Sequence, residues 1–282
     1  MNLESGQVAV VTGAASGIGR ALADAFARAG LHLVLADVDA EGLERAAAEL
    51  RAGGTELVAV PTDVADGPAV DALAAATVDR FGAVHVVCNN AGVGGWGGSS
   101  WEQPAAVWDW VLRVNVMGVV HGVRAFTPLL LAGGHGHIVN TASLAGLAVV
   151  PHLGPYSASK HAVLALSTVL HHELAATGAD IGVSVLCPGF TRTGILAADR
   201  YWPAELGPTP QHADDAGTRA VNAAFVQGIA HGVDPERVAE LALDAVRTNR
   251  FLVTTDAEFV AHALTARAET GDGVPPPLLA VG

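Results

Sequence analysis

A tyrosine and a lysine stand four positions apart in the segment YSASK at 156–160, just after a stretch rich in glycine and proline. On a helix, residues four apart lie on the same face. A free phenol has a pKa near 10 and is a poor acid or base at neutral pH, but a nearby ammonium favours its ionised form. Tyr156 beside Lys160 therefore suits a general base that deprotonates an alcohol. Taken alone, this spacing is more typical of an ordinary helix face.

Ser143 lies thirteen positions before the tyrosine and directly after an apolar strand predicted at 136–142. Open α/β sheets bind ligands at the carboxyl ends of their strands. The Ser143 hydroxyl could therefore hydrogen-bond a substrate oxygen at that edge. By itself, a serine at this place would be read as a helix cap or a turn residue.

A glycine-rich turn, TGAASGIG at 12–19, joins the first apolar strand to an amphipathic helix. Glycines let the backbone turn sharply and approach a pyrophosphate, and a helix N-terminus adds positive potential. Such a turn is weak evidence alone, but its placement between a strand and a helix strengthens the dinucleotide interpretation. The residues predicted to hold the pyrophosphate are Gly13, Ser16, Gly17, Ile18 and Gly19.

Asp37 ends the second predicted strand, some 20 residues after the glycines. A carboxylate there can accept hydrogen bonds from both ribose hydroxyls of adenosine and would repel a 2′-phosphate. Neither Ser16 nor Val38 is basic, and neither Arg20 nor Arg45 is an obvious phosphate clamp. The sequence therefore favours NAD over NADP. A helix-capping role for Asp37 stays open and does not exclude this one.

Short apolar strands alternate with longer helical segments along the chain, which predicts an α/β fold of the Rossmann type. We expect a doubly wound parallel sheet of about seven strands with helices on both faces. One domain is expected over 1–270, with a substrate lid at 190–234 and an extended tail at 271–282. Strands are predicted at 7–12, 32–36, 56–60, 84–88, 136–142, 181–187 and 250–254, and helices at 17–29, 40–51, 67–80, 104–130, 156–177 and 235–247.

Composition excludes several classes of protein. The 282 residues carry a formal net charge of −13, which disfavours nucleic acid and anionic membranes as partners. No uninterrupted apolar run approaches the ~20 residues of a spanning helix, and no basic segment precedes the first apolar stretch, so a cytoplasmic location is expected.

Cys88 and Cys187 are predicted to be small core residues. His135 and His137 are expected in an exposed turn, and no metal site is predicted.

These landmarks occur in order and at spacings that resemble the short-chain dehydrogenase/reductase family, from about residue 5 to about residue 255. The resemblance implies that the chain is an NAD-dependent oxidoreductase that interconverts a secondary alcohol and a ketone. The matching stretches are TGAASGIG at 12–19, Asp37, Asp63-Val64, NNAG at 89–92, Asn115, Ser143, YSASK at 156–160 and Pro188-Gly189.

The resemblance also implies a role for each matching position. Tyr156 would be the acid–base residue, Lys160 would lower its pKa and hold the nicotinamide ribose, and Ser143 would orient the substrate oxygen. Asn115 would hold the backbone and a water that continues a proton relay. The remaining expected cofactor contacts are Asp63 and Val64 beside the adenine, Asn90, Ala91 and Gly92 beside the adenosine, and Pro188, Gly189 and Thr191 on the nicotinamide side.

Large apolar side chains flank these motifs and predict an apolar substrate pocket, suited to an apolar, aromatic or alicyclic alcohol. No basic residue is expected to guard it, which disfavours an anionic substrate. His152 could line the pocket or lie in a plain loop, and both interpretations stay open. The expected walls are Trp96, Leu144, Ala145, Leu147, Phe190, Ile195, Leu196 and Trp202.

Two other functions compete with this one. A catalytically silent NAD-binding sensor or scaffold could share the fold, although it would have no need of a tuned phenol. A nucleotide-sugar epimerase or dehydratase is disfavoured, because those relatives usually carry a differently spaced glycine motif. The family resemblance further implies a homotetramer or homodimer built from the helices at 104–130 and 156–177.

Overall fold

The computed structural model describes residues 1–268, apart from the side chains of residues 198 and 266–268. The predicted tail at 271–282 lies outside the described residues, as do positions 269–270 of the predicted domain.

Seven parallel strands form a single sheet in the described chain, in the order β3-β2-β1-β4-β5-β6-β7. The order runs outward from β1 in both directions, which is the doubly wound arrangement, and the predicted Rossmann-type fold is confirmed. The strands are β1 Val8–Thr12, β2 His32–Asp37, β3 Leu57–Pro61, β4 Val86–Asn89, β5 His135–Thr141, β6 Asp180–Cys187 and β7 Leu252–Thr254.

Helices cover both faces of this sheet. The structure has α1 Gly17–Arg28, α2 Ala40–Ala52, α3 Gly67–Phe81, α4 Ala105–Leu112, α5 Gly118–Gly133, α6 Gly154–Thr177, α7 Ala216–Ala230, α8 Pro235–Thr248 and α9 Ala257–Ala268. A short π-helical turn, Arg113–Met117, joins α4 to α5.

The two faces of β1 show how the sequence builds both layers. Side chains alternate across a strand, so neighbouring residues face opposite layers. Ala9 and Val11 pack in a core with α1, α2 and α8. Val8 and Val10 pack in a second core with α3, α5 and α6. A strand buried on both faces must be apolar at every position, which explains the uninterrupted apolar runs in the sequence.

His137 corrects one expectation. An exposed turn is predicted for it, but it is a residue of β5 and only 1% exposed. Its Nε2 lies 2.8 Å from the Ser184 hydroxyl, which donates a hydrogen bond to the carbonyl of Arg250. Burial lowers the pKa of His137 to about 3, so the ring is neutral inside the sheet.

The segment 190–234 contains a long helix, α7, in addition to short 3₁₀ turns at Ile195–Tyr201 and Ala204–Leu206. Asp215 caps α7 by accepting a hydrogen bond from the backbone N–H of Thr218 at 2.9 Å. Neither α7 nor α9 is among the helices predicted from the sequence.

The helical stretch Ala105–Gly133 is long and apolar enough, by length and composition alone, to cross a membrane, and 28% of its most apolar window is buried inside the protein. Within the described chain, its two α-helices pack against α3, α6, β4 and β5. Asn115, on the connecting π turn, is 1% exposed. We therefore describe this stretch as part of the helical layer over the sheet.

Candidate active site

A cavity of about 690 Å³ opens at the edge where the strands β1, β2, β4, β5 and β6 end. The lid segment 190–234 closes its other side, and α7 contributes part of that wall. Most of the site residues predicted from the sequence line it: Gly13, Ser16, Gly17, Ile18, Gly19, Asp37, Val38, Asp63, Val64, Asn90, Ala91, Gly92, Ser143, Ala145, Tyr156, Lys160, Pro188, Gly189, Phe190 and Thr191.

The glycine turn between β1 and α1 is packed too tightly for side chains. A Cβ on Gly19 would lie 1.9 Å from the carbonyl oxygen of Gly13. Gly17 has a φ of +55°, which other L-residues rarely adopt. The first N–H groups of any helix lack partners within the helix, so this turn presents backbone donors and positive potential to the cavity.

Asp37 is held rigidly at the end of β2. Its two carboxylate oxygens accept hydrogen bonds from the backbone N–H groups of Ala15, at 2.9 Å, and Asp39, at 3.0 Å. Burial raises the pKa of Asp37, and these two hydrogen bonds oppose the shift. Each carboxylate oxygen accepts more than one hydrogen bond, so ribose hydroxyls can still bind there.

The Lys160 ammonium is buried at the centre of the site, with the residue only 4% exposed. Its Nζ donates to the carbonyl of Thr141 at 3.0 Å. An ammonium has three donors, so it can also bind hydroxyls of a ligand or water. Burial lowers the pKa of Lys160 to about 8.

Tyr156 and Ser143 meet through their side chains. Both line the cavity, and the Lys160 ammonium lies 5.6 Å from the centre of the Tyr156 ring. Burial raises the pKa of Tyr156, and Ser143 opposes that shift. The desolvation of the phenol outweighs the effect of Ser143, and the lowering of its pKa by Lys160 that the resemblance implies stays a prediction.

Asn115 does not line the cavity but supports it from behind. Its Oδ1 accepts from the N–H of Val93 at 2.8 Å, and its Nδ2 donates to the carbonyl of Val93 at 2.9 Å and to the Ser159 hydroxyl at 3.0 Å. The Ser159 hydroxyl donates to the carbonyl of Tyr156 at 2.7 Å. Asn115 thus ties the chain after β4 to the first turn of α6.

Asn90 links three strand ends beneath the dinucleotide side of the cavity. Its Nδ2 donates to the carbonyl of Thr12 at 3.0 Å, and its Oδ1 accepts from the Thr141 hydroxyl at 3.2 Å. After β6, Gly189 is held by the Thr255 hydroxyl at 2.9 Å, and the Thr191 hydroxyl donates to the Gly189 carbonyl at 3.1 Å. These bonds fix the backbone at the two ends of the cavity.

Three of the expected substrate residues lie away from the cavity wall. Trp96 and Trp202 pack edge to face, with ring centres 5.0 Å apart, in an aromatic cluster with Trp110. Trp110 is the member of this cluster that lines the cavity. His152 faces α7, where its Nδ1 lies 3.0 Å from the Thr218 hydroxyl. Of the other expected walls, Leu144, Ile195 and Leu196 line the cavity, whereas Leu147 is buried in the core.

Further lining residues were not predicted from the sequence. Asn222 and Phe225 reach the cavity from α7, and their helical spacing would have signalled an inward face had α7 been predicted. Arg113 and Arg200 also line the cavity, contrary to the expectation that it has no basic residue. Both lie far in sequence from the glycine turn, so no local pattern indicated them. The described residues hold no group of three or more His, Cys, Asp or Glu side chains placed to bind a metal.

The cavity fits a dinucleotide along its length. Tight glycines and helical N–H groups suit a diphosphate, the Asp37 carboxylate suits a ribose, and the buried Lys160 ammonium suits a second ribose. The fold and the site together define a Rossmann-fold protein whose cavity suits a dinucleotide beside the side chains of Ser143, Tyr156 and Lys160.

Comparisons with known proteins identify the family. The family model for short chain dehydrogenase matches residues 7–204. A 1-deoxy-11-beta-hydroxypentalenate dehydrogenase of Streptomyces exfoliatus is 47% identical over 198 residues, which cover 70% of this chain and 71% of that protein. The chain belongs to the short-chain dehydrogenase/reductase family, whose members are nicotinamide-dependent oxidoreductases that act on alcohol and ketone groups.

Two solved structures extend the comparison. A short-chain dehydrogenase/reductase from Burkholderia phymatum in complex with NAD has a TM-score of 0.93 and 43% identity, covering 99% of this chain and 100% of that one. A single-residue variant of actinorhodin polyketide ketoreductase, with NADPH, has a TM-score of 0.74 and 33% identity, covering 90% and 97%. Similar folds in this family thus bind either dinucleotide.

Proposed function

We propose that this protein is an NAD-dependent oxidoreductase that interconverts an apolar, alicyclic or aromatic secondary alcohol and the corresponding ketone, with Tyr156 as general acid and base. One observation carries the proposal. The side chains of Tyr156 and Ser143 and the buried Lys160 ammonium line the same cavity as the glycine turn and Asp37. A protein that only binds a dinucleotide would need the glycine turn and Asp37, but not the Tyr156 phenol.

The proton would move at the phenol oxygen of Tyr156. When a ketone is reduced, Tyr156 donates its proton to the substrate oxygen, and the raised pKa of the buried phenol keeps it protonated until then. When an alcohol is oxidised, Tyr156 accepts the proton, and the Lys160 ammonium stabilises the ionised phenol. The bound dinucleotide supplies the hydride acceptor or donor and, when oxidised, a positive charge beside the phenol.

The other residues of the site orient the reactants. Ser143 hydrogen-bonds the substrate oxygen at the position where it meets Tyr156. Lys160 holds the nicotinamide ribose with donors that Thr141 leaves free. Asn115 keeps the first turn of α6 in place through Ser159, so that the phenol and the ammonium keep their spacing.

Asp37 supports NAD as the cofactor. Its carboxylate is fixed by two backbone N–H groups at the end of β2, where a 2′-phosphate would meet its charge. Arg20 is paired with Asp24 at 3.1 Å and with Glu49 at 2.9 Å, which leaves it poorly placed to bind such a phosphate. The NAD complex of the Burkholderia phymatum protein agrees with this choice.

The walls around the reacting groups support an apolar substrate. Phe190 and Phe225 pack edge to face with ring centres 5.2 Å apart, and Leu153 and Ala145 complete the surface near Tyr156. A rigid ring system would fill such walls at little entropic cost. The name of the Streptomyces exfoliatus relative, a hydroxypentalenate dehydrogenase, supports an alcohol as the substrate, although a hydroxypentalenate also carries a carboxylate.

We also propose that the protein forms a homodimer or homotetramer through α5 and α6. Exposed apolar side chains on these helices include Leu131, 39% exposed, and Val169, 52% exposed. Light scattering should give two or four times the mass of 28.5 kDa. A monomer at all concentrations would contradict this part of the proposal.

The cofactor assignment can be tested with one substitution. We expect the purified protein to reduce NAD in the presence of some member of a panel of alicyclic, aromatic, steroid and aliphatic alcohols. Asp37→Ser should raise the KM for NAD by about tenfold and lower that for NADP, because it removes a ribose acceptor and a charge that repels the phosphate. Asp71→Ser, which removes an exposed carboxylate of α3 outside the cavity, is the control. Equal use of NADP by the unaltered protein would contradict the assignment.

A further inference from the structure

The lid reaches across the cleft to the far side of the sheet. Tyr201, at the end of the first 3₁₀ turn of the lid, lies close enough to the side chain of Asp39 for that carboxylate to raise the pKa of its phenol. Asp39 caps α2, where its Oδ1 accepts from the N–H of Gly42 at 2.9 Å. The lid follows β6 and Asp37 ends β2, and Tyr201 lines the cavity beside Asp37, so the lid reaches from one half of the sheet to the other.

Tyr201 lies over the half of the cavity that would hold adenosine. It lines the cavity together with Asp37, Val38 and Val64. Its ring packs against the same aromatic cluster as Val114. Burial raises the pKa of Tyr201, the nearby carboxylates of Asp37 and Asp39 add to the shift, and Arg200 opposes it.

Arg200 brings a positive charge to the same place. Its guanidinium lies over the Tyr201 ring, 4.5 Å from the ring centre. Its Nη2 lies 3.6 Å from the position that a Cβ on Gly194 would take. The neighbouring Thr193 side chain lies 3.2 Å from the corresponding position on Gly17, in the glycine turn. The lid arginine is therefore close to the site of the diphosphate.

The guanidinium of Arg200 is available to bind an anionic ligand. Lys160 is engaged with the carbonyl of Thr141, and Arg113 lies 3.7 Å from the carboxylate of Asp109. Arg200 forms no salt bridge with any residue of the described chain. In a protein of net charge −13, a cation near the glycine turn would strengthen the binding of a diphosphate that the N–H groups of α1 already favour.

We propose that Tyr201 and Arg200 are cofactor-binding residues of the lid: Tyr201 covers the adenosine half of the dinucleotide, and Arg200 pairs with its diphosphate. This inference rests on the dinucleotide site of the proposed function. The lid also carries Leu206 and His212 into the cavity wall. The same segment that covers the cofactor therefore also forms part of the surface that meets the substrate.

Binding measurements on the full chain test this directly. NADH, ADP-ribose and nicotinamide mononucleotide would be titrated by calorimetry into the unaltered protein and into Arg200→Gln, Arg200→Lys, Tyr201→Phe and Tyr201→Ala. We expect Arg200→Gln to raise the Kd of NADH and of ADP-ribose by about tenfold, an effect that shrinks at high salt, with Arg200→Lys restoring part of the affinity. Tyr201→Ala should weaken ADP-ribose and leave nicotinamide mononucleotide unchanged, and Tyr201→Phe should show a smaller loss.

The control is Arg237→Gln, which removes an exposed arginine that binds Glu240 on α8, away from the cavity. Hydrogen exchange of residues 195–206 supplies a second readout, and NADH should slow it in the unaltered protein. Unchanged or tighter NADH binding in the folded variants, or exchange that NADH does not slow, would overturn the inference while leaving the proposed function intact. A protein that binds neither NADH nor NADPH would overturn both.

Discussion

Burial shifts the pKa values of the two side chains that we propose as the acid–base pair, Tyr156 and Lys160. Desolvation raises the pKa of Tyr156 and lowers that of Lys160 to about 8, so each group resists the charge that it would carry in catalysis. Ser143 opposes the shift at the phenol. A small change in local charge can then move a proton, which suits an acid–base pair that works in both directions.

The buried Lys160 ammonium lowers the free energy of unfolding by an amount that should depend on pH. Its ammonium is buried, and its pKa falls from 10.5 to about 8 in the folded protein. The cost is fully present below pH 8 and disappears as the pH rises through 10.5, since the unfolded chain then also loses the proton. Lys160→Met should therefore unfold at a higher urea concentration than the unaltered protein at pH 7, and this advantage should shrink towards pH 10.5. Its activity should fall by more than a hundredfold.

The sequence identified the reactive residues because their chemistry requires particular side chains at fixed spacing. Their order and spacing along the chain were enough to place Tyr156, Lys160 and Ser143 at one site. The same pattern could not show that Trp96 and Trp202 pack edge to face behind the wall, because apolar side chains serve equally well in the wall and behind it. Arg200 was missed for a related reason, since its position depends on the path of the whole lid.

At the scale of elements, α7 decides the shape of the substrate half. It packs flush against the residues after β6: a Cβ on Gly228 would lie 2.7 Å from the Phe190 ring, and the Thr218 hydroxyl meets His152 at 3.0 Å. His152 has a φ of +64°, an unusual conformation that the contacts around it maintain. Helix α7 is therefore held by a hydrogen bond against the loop that precedes Tyr156.

Gly228→Ala tests this packing. Alanine favours a helix by about 1 kcal/mol, but here its methyl group would push Phe190 into the cavity. We expect the KM for the alcohol to rise by about fivefold, with the Kd of NADH unchanged. Gly133→Ala, at the end of α5 where a Cβ meets nothing within 4 Å, is the control. A KM that stays constant in Gly228→Ala would mean that α7 does not set the substrate wall.

The strands of the sheet and most of the helices that cover it could be predicted from the sequence, whereas α7 could not. A strand buried on both faces needs a continuous apolar run, as in β1 and β2, and that signal is local. The residues of α7 belong to a segment broken by Trp202-Pro203 and Pro208, with no strand of the sheet nearby to complete the pattern. Its helix is stabilised by packing on Phe190 and His152, which only the folded chain brings together.

At the scale of the whole molecule, stability should fall in acid partly because of one histidine. His137 stays neutral in the folded protein down to about pH 3, whereas the unfolded chain binds a proton near pH 6.5. The free energy of unfolding should therefore decrease as the pH falls from 6.5 towards 3. His137→Gln cannot be protonated, so this decrease should be shallower in urea titrations across that range, whatever the absolute stability of the variant. His135→Gln, at the exposed start of β5, should keep the original slope.

The proton carried by Tyr156 is central to the proposed chemistry of the whole molecule. The most direct test is the rate of hydride transfer in a single turnover, with NAD bound and the best alcohol of the panel added, in the unaltered protein and in Tyr156→Phe. We predict a rate at least a hundredfold lower in Tyr156→Phe at neutral pH, with the Kd of NADH within twofold of the original. A Tyr156→Phe protein that transfers hydride at the full rate would contradict the acid–base role of this residue.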